Sequence, residues 1–130
     1  MKSIIFLFIA TIIMAAPVNA QRMHDASGHQ IGRVDGNYYY DASGRQLGRV
    51  NEKYVYNASG RQIGRVDGSY LYDASGHQLG RINGNYLYDS SGKQIGRISS
   101  GYIYDGSGRQ IGRADGLSNA EIIIFFYFFM

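Results

Sequence analysis

The chain has 130 residues and a formal net charge of +3; it contains 18 glycines and 12 tyrosines but no cysteine and no tryptophan. Without cysteine there is no disulfide framework to compensate for small size, and a charge this balanced gives no electrostatic case for nucleic acid as a partner. The length suits one small domain.

In chain order, the first element is a leader. Lys2 gives a short basic region, "IIFLFIATIIM" an apolar one, and "APVNA" ends in small residues, with Val18 and Ala20 at the −3 and −1 positions. This pattern predicts a secretory signal peptide over residues 1–20, cut between Ala20 and Gln21. The alternative, a retained membrane anchor, is disfavoured because the apolar run is shorter than the roughly 20 residues a spanning helix needs. The expectation is an exported protein, periplasmic, cell-surface or extracellular.

Residues 21–116 repeat. "DASG" or a close variant starts at Asp25, Asp41, Asn57, Asp73, Asp89 and Asp105, every 16 residues without an insertion. A fixed period of this kind governs the fold. Each copy holds two turn signals and two short strand signals. Asp-Ala-Ser-Gly suits a type I turn closed by a left-handed glycine, and "DG" or "NG" marks a second turn. Tyr, Val and Ile between them favour strands. Six hairpins, hence twelve short antiparallel strands, are predicted. The first copy is irregular, with "QRMH" where the tyrosine strand belongs.

Strand parity yields a finer expectation. The first turn should pair Tyr56 with Gln62 and Val55 with Ile63. A three-residue loop with Gly68 left-handed would then pair Ile63 with Leu71 and keep the faces consistent. One face would carry Leu47, Val55, Ile63, Leu71, Leu79, Leu87, Ile95 and Ile103. The other would carry tyrosine, glutamine and glycine, with tyrosines packing over Gly48, Gly64, Gly80 and Gly96.

Residues 117–130 are the last element. Ser118 with Glu121 three positions on is a capping box. After it, Ile122, Ile123, Ile124, Phe125, Phe126, Phe128 and Phe129 leave no polar face, so this predicted helix must be buried. Twelve strands tilted by about 40° close a barrel of roughly 12 Å radius, which leaves room for one helix on the axis at about 10 Å packing distance. The expected fold is therefore all-β with one C-terminal helix: six hairpin repeats closing a short barrel around a central apolar core helix. The alternative is an open sheet with the tail as a thirteenth strand. A transmembrane barrel would need strands of about 9–11 residues.

With "YLYDASGHQLGRI" repeated every 16 residues ahead of an apolar helix, the chain resembles the β-flower proteins, small bacterial proteins whose hairpins stand as petals around a shallow barrel. That architecture is in turn similar to the tubby C-terminal and scramblase-like folds, twelve strands around an apolar helix. The resemblance implies contact with membrane phospholipid and no catalysis. It carries no family functional residue to a numbered position here. Local likenesses to secreted tyrosine-aspartate repeats and to aromatic cell-wall-binding repeats are weaker.

No catalytic, cofactor or metal constellation is apparent. His24, His29 and His77 occupy slots where other copies carry Tyr, Arg or Lys. The turn serines have no positioned base, and the aspartates lack calcium-loop spacing. The pattern with functional content is rotational. Arg33, Arg49, Arg65, Arg81, Arg97 and Arg113 hold one slot in all six copies. By the parity above they share the aliphatic face and form a ring near the strand ends. A second ring comprises His29, Arg45, Arg61, His77, Lys93 and Arg109. The arginines could cover apolar surface and pair with Asp35, Asp67 or Asp115, or form a rim for phosphate head groups. The functional expectation is an exported, non-enzymatic, phospholipid-contacting protein. A carbohydrate-binding module, through tyrosines such as Tyr54, Tyr56, Tyr70 and Tyr72, and a protein-interaction scaffold are the alternatives.

Overall fold

The computed structural model describes residues 21–130; the signal peptide expected over 1–20 lies outside the described residues. Twelve strands alternate between four and six residues: β1 (Arg22–Asp25), β2 (Gln30–Asp35), β3 (Tyr38–Asp41), β4 (Gln46–Asn51), β5 (Tyr54–Asn57), β6 (Gln62–Asp67), β7 (Tyr70–Asp73), β8 (Gln78–Asn83), β9 (Tyr86–Asp89), β10 (Gln94–Ser99), β11 (Tyr102–Asp105) and β12 (Gln110–Asp115). Each pairs antiparallel with its chain neighbours, and β1 pairs with β12 to close the barrel. Closure leaves no sheet edge exposed.

The turn at one end is held by the first residue of each "DASG". In the fourth copy, Asp73 Oδ1 accepts from the Ser75 N–H, the Ser75 hydroxyl and the His77 N–H, each at 2.9 Å. The Gly76 N–H donates to the Asp73 carbonyl at 3.1 Å, and Gly76 takes φ +91°, a conformation glycine adopts without steric cost. Asn57 makes the same turn with its amide oxygen.

Beyond this turn the pairing departs from simple parity. Tyr56 pairs with Gln62 as expected, but the next pair is Val55 with Gly64. Ile63 is an extra, bulged residue, and the same shift recurs in every hairpin of this kind. A bulge reverses the alternation of faces beyond it. This corrects the second turn as well. It is a two-residue connection, with Asp67 opposite Tyr70 and Val66 opposite Leu71; Gly68 is left-handed, at φ +62°. The bulge at one end supplies the parity change that a three-residue loop was expected to supply at the other. Ile63 does not pair with Leu71.

The faces are reassigned accordingly. Glycine stands on the inner face beside Val55, Leu71, Leu87 and Ile103, all of which are buried. Arginine shares the outer face with the tyrosines. The expectation that tyrosines cover the glycines is therefore overturned, as is the placement of the arginine ring on the aliphatic face. Tyr39 is the exception among the strand tyrosines. It occupies the inner slot, is buried, and packs on Phe125 and Phe129 at ring-centre distances of 5.2 and 5.3 Å. Burial, and secondarily the charge of Glu121, push its phenol pKa upward.

The axis is filled from the end that carries the two-residue turns. Ser118 caps α1 (Asn119–Ile124), with the reciprocal Glu121 contact completing the capping box. Phe125–Phe129 continues as a π-helix. Ile122, Ile124 and Phe125 are buried, and Ile123, Phe126, Tyr127, Phe128 and Phe129 pack partly buried against the core. Five of these aromatic rings each lie over one inner glycine: Phe125 on Gly32, Phe126 on Gly96, Tyr127 on Gly80, Phe128 on Gly64 and Phe129 on Gly48. From 126 to 129 the rings address adjacent hairpins in turn. Adjacent hairpins of a six-membered ring are about 60° apart, whereas an α-helix turns about 100° per residue. The wider π-helix turns less per residue, which brings it closer to the barrel's spacing.

Candidate functional site

The inner face is committed to packing, so the outer face is where a partner can be met. There the register builds a belt. Each arginine of the slot 33, 49, 65, 81 and 97 is opposite a tyrosine of the following strand. The guanidinium carbon sits over that ring: Arg33 over Tyr40 at 4.2 Å, Arg49 over Tyr56 at 4.2 Å, Arg65 over Tyr72 at 4.1 Å, Arg81 over Tyr88 at 4.3 Å and Arg97 over Tyr104 at 4.1 Å. These are cation–π distances. On the other flank, Arg49, Arg65, Arg81, Arg97 and Arg113 are paired with Tyr38, Tyr54, Tyr70, Tyr86 and Tyr102. Tyr38, Tyr70, Tyr86 and Tyr102 remain 42–45% exposed. Tyrosine and arginine thus alternate around most of the barrel.

The belt changes at the seam. In β1, Arg22 and His24 stand in the tyrosine slots, so Arg33 faces Arg22 and Arg113 faces His24. Arg113 turns instead to Asp115, with one nitrogen donating to both carboxylate oxygens at 2.8 Å. Arg33 lies 3.9 Å from Asp35. These are two of the carboxylate pairings the sequence suggested; none joins Arg65 to Asp67 among the described residues. His24 is mostly buried against the seam, 3.7 Å from Asp115.

Charge follows the two ends. The half that carries the belt and the two-residue turns holds eight basic and five acidic side chains, net +3; the half with the "DASG" turns holds four and five, net −1. The second cationic ring sits in this weakly acidic half. Three of its members lie beside their own turn carboxylates: His29 is 3.7 Å from Asp25, His77 3.7 Å from Asp73, and Arg109 3.6 Å from Asp105.

Those turns place Asp, Ser and His together twice, at Asp25-Ser27-His29 and Asp73-Ser75-His77. The serine hydroxyls donate to the aspartates at 2.9 Å and lie 3.0 and 2.9 Å from the histidine Nδ1. A nucleophilic serine must give its proton to the base. Here that proton is held by the carboxylate, and copies with Arg or Lys in the histidine slot make the same turn. The cluster is turn chemistry. Hydrogen bonds from the Ser43 hydroxyl and the Arg45 N–H hold the Asp41 carboxyl below the usual range, and Asp73, Asp89 and Asp105 are lowered in the same way by their own turns. In Asp25 the His29 N–H is the largest cause, followed by the Ser27 hydroxyl.

Sequence reasoning found the arginine slot but not its stacking. The signal was present, since in "GRQIGRVDGSYLYDASG" Arg65 stands seven residues before Tyr72, the ring it stacks on, and the same spacing recurs in the other copies. Reading it required the bulge at Ile63, and a bulge has no composition signature of its own.

Comparison with curated proteins and with solved structures gives no match. Comparison with protein families matches residues 20–130 to the family described as 5-fold beta-flower protein. This barrel has six hairpins by its "DASG" turns, while its two-residue turns number five, the sixth such strand pair being the β1·β12 seam. With the match covering nearly the whole chain and the barrel of repeated hairpins in view, the chain belongs to the 5-fold β-flower family.

Proposed function

We propose that this β-flower protein is exported and non-enzymatic, and that it binds anionic phospholipid surfaces through the arginine–tyrosine belt. One observation carries the reading: five guanidiniums held over tyrosine rings around the basic half of the barrel. Stacking fixes each cation by its face and leaves its edge N–H groups free for phosphate oxygens. Tyrosine is suited to the water–lipid boundary, where its ring meets apolar chains and its hydroxyl meets water. The strands, at four to six residues, are short of the 9–11 a spanning barrel uses, so the contact is peripheral. The likeness to tubby C-terminal and scramblase-like folds supports the same reading, and the leader pattern in residues 1–20 supports export.

Co-sedimentation with vesicles tests it. Binding should be strong to vesicles containing phosphatidylserine at low salt, weak to phosphatidylcholine alone, and reduced at high salt. Each surface arginine is worth about 1 kcal/mol near an anionic membrane. Replacing Arg49, Arg65 and Arg81 by Gln should therefore weaken binding on the order of a hundredfold. Equal binding to both vesicle types, or an unaffected triple variant, would sink the proposal.

A second reading rests on the exposed Tyr38, Tyr70, Tyr86 and Tyr102, which could stack on sugar rings. It predicts binding to a neutral polysaccharide that survives high salt and is lost in Tyr70→Ala with Tyr86→Ala.

A further inference from the structure

At the "DASG" end, neighbouring hairpins diverge and leave a groove between them. Three such grooves are built alike. One, of about 460 Å³, is lined by Arg61, Gln62 and Ile63 on one hairpin and Asp73 and Ser75 on the next. Another, of about 440 Å³, has Lys93, Gln94 and Ile95 facing Asp105 and Ser107. The third, of about 430 Å³, crosses the seam, with Arg109, Gln110 and Ile111 facing Asp25 and Ser27. The bulge explains the apolar floor. The extra residue of β6, β10 and β12 is the isoleucine that lines the groove.

Each groove sets a cation on one wall against a carboxylate on the other. Among the described residues no ion pair joins Arg61 to Asp73, Lys93 to Asp105 or Arg109 to Asp25. The carboxylates are held in place and charged. Oδ1 of each is taken by its own turn, and the same hydrogen bonds lower its pKa. Oδ2 is left 3.6–3.7 Å from the basic or histidine side chain of its own turn, beyond hydrogen-bond length.

Opposite charges held apart across a small groove match a ligand that carries both signs at its two ends. We propose that these grooves bind small zwitterions with a phosphate at one end and a primary ammonium at the other, the chemistry of phosphoethanolamine. The phosphate meets Arg61, Lys93 or Arg109, as charge-assisted hydrogen bonding favours. The ammonium meets Oδ2 of the aspartate, the oxygen its own turn does not hydrogen-bond, and the glutamine amide oxygen, and the two carbons between lie on isoleucine. A volume of this size is at the small end of ligand sites. The ligand source is a free metabolite or a phosphatidylethanolamine head group. The inference adds a second chemistry to the membrane reading and does not rest on it, because the grooves and the belt occupy different halves of the barrel.

The repeat contains its own control. At the junction of the second and third hairpins the equivalent repeat positions are Arg45 and Asn57, so the carboxylate is missing. Asn57 nonetheless makes the standard turn. Asp→Asn therefore removes the charge and keeps the turn. Phosphoethanolamine, titrated into the protein and followed by backbone amide resonances, should shift Ser27, Ser75 and Ser107 and leave in place Ser43, whose turn lines none of the three grooves. In the triple variant Asp25→Asn, Asp73→Asn, Asp105→Asn, affinity should fall about tenfold, the value of one charge-assisted contact, with the thermal midpoint near neutral pH retained. Inorganic phosphate alone and ethanolamine alone should each bind about tenfold more weakly than the zwitterion. Binding of phosphate as tight as that of phosphoethanolamine, or an unaffected triple variant, overturns the proposal. So does an equal response to methyl glucoside in the same grooves. Neutral phosphatidylcholine vesicles with and without phosphatidylethanolamine identify the source: a gain with the latter assigns the lipid, and no gain beside tight soluble binding assigns the metabolite. The belt variant Arg49→Gln, Arg65→Gln, Arg81→Gln should leave the amide shifts unchanged, so failure of one proposal is separable from failure of the other.

Discussion

Gly64 and Arg65 are adjacent in β6 and belong to opposite worlds. Gly64 faces the axis, where the Phe128 ring and the Tyr72 carbonyl occupy the space a β-carbon would need. Arg65 faces outward, where its guanidinium rests on Tyr72 and its neighbours are solvent and Tyr54. The inner slot reads glycine in every hairpin because a carbonyl of the neighbouring strand, and in five of the six a ring of the shared helix, crowds the place of a β-carbon. The outer slot reads arginine in every hairpin for no packing reason of comparable force. Stability is therefore concentrated at the axis, and the surface repeat is free to serve binding.

The largest effect should come from removing the axis. A lone two-stranded hairpin is marginal in water, and the hairpins here share Ile122, Ile124 and Phe125 as a common centre. Deleting residues 121–130 should abolish cooperative thermal unfolding, not merely lower its midpoint. A truncated chain with the same sharp transition would mean that the barrel stands alone and the tail serves some other end.

Next come the glycine slots, which are graded. A β-carbon at Gly64 overlaps both ring and backbone, whereas at Gly96 the nearest atoms, in Phe126, Tyr104 and Leu87, stand 3.1–3.2 Å away. Overpacking costs about 1–3 kcal/mol. Gly64→Ala should fall at the top of that range and Gly96→Ala at the bottom, measured by denaturant unfolding. Phe125→Ala, at a ring only 2% exposed, should cost about 3–5 kcal/mol. Equal costs at the two glycines would break the claim that the π-helix is keyed to individual hairpins.

Much of this contrast was legible in the sequence. The 16-residue period gave the hairpin number, the capping box at Ser118 gave the helix start, and the absence of a polar face in the tail required burial. What escaped was the parity of one residue. Ile63 carries no mark distinguishing a bulged isoleucine from a paired one, yet its bulge moves glycine inward and arginine outward. The π-helix escaped for a similar reason: "FFYFF" is compatible with either helix, and the spacing of the surrounding hairpins favours the wider one.

On the outer face a single stack should matter little to stability. Exposed cation–π pairs are worth about 0.5–1 kcal/mol. A double-mutant cycle of Arg65→Ala and Tyr72→Ala should return a coupling energy in that range. A coupling of several kcal/mol would show the belt to be structural and weaken its assignment to binding.

The smallest effect is expected at the turns, and it depends on pH. The carboxyls of Asp25, Asp41, Asp73, Asp89 and Asp105 are lowered in the folded protein by their serine and backbone donors. At acidic pH the unfolded chain therefore binds more protons than the folded one. The stabilisation is fully present above the ordinary carboxylate range, about pH 4, and is lost as pH falls through the depressed values. These groups are solvent-exposed, so screening keeps each contribution small. Asn57 shows that an amide oxygen can accept the same three hydrogen bonds without titrating. Replacing the five aspartates by Asn should flatten the fall in thermal midpoint between about pH 5 and pH 2. An unchanged acid slope would place the proton-linked stability outside these turns.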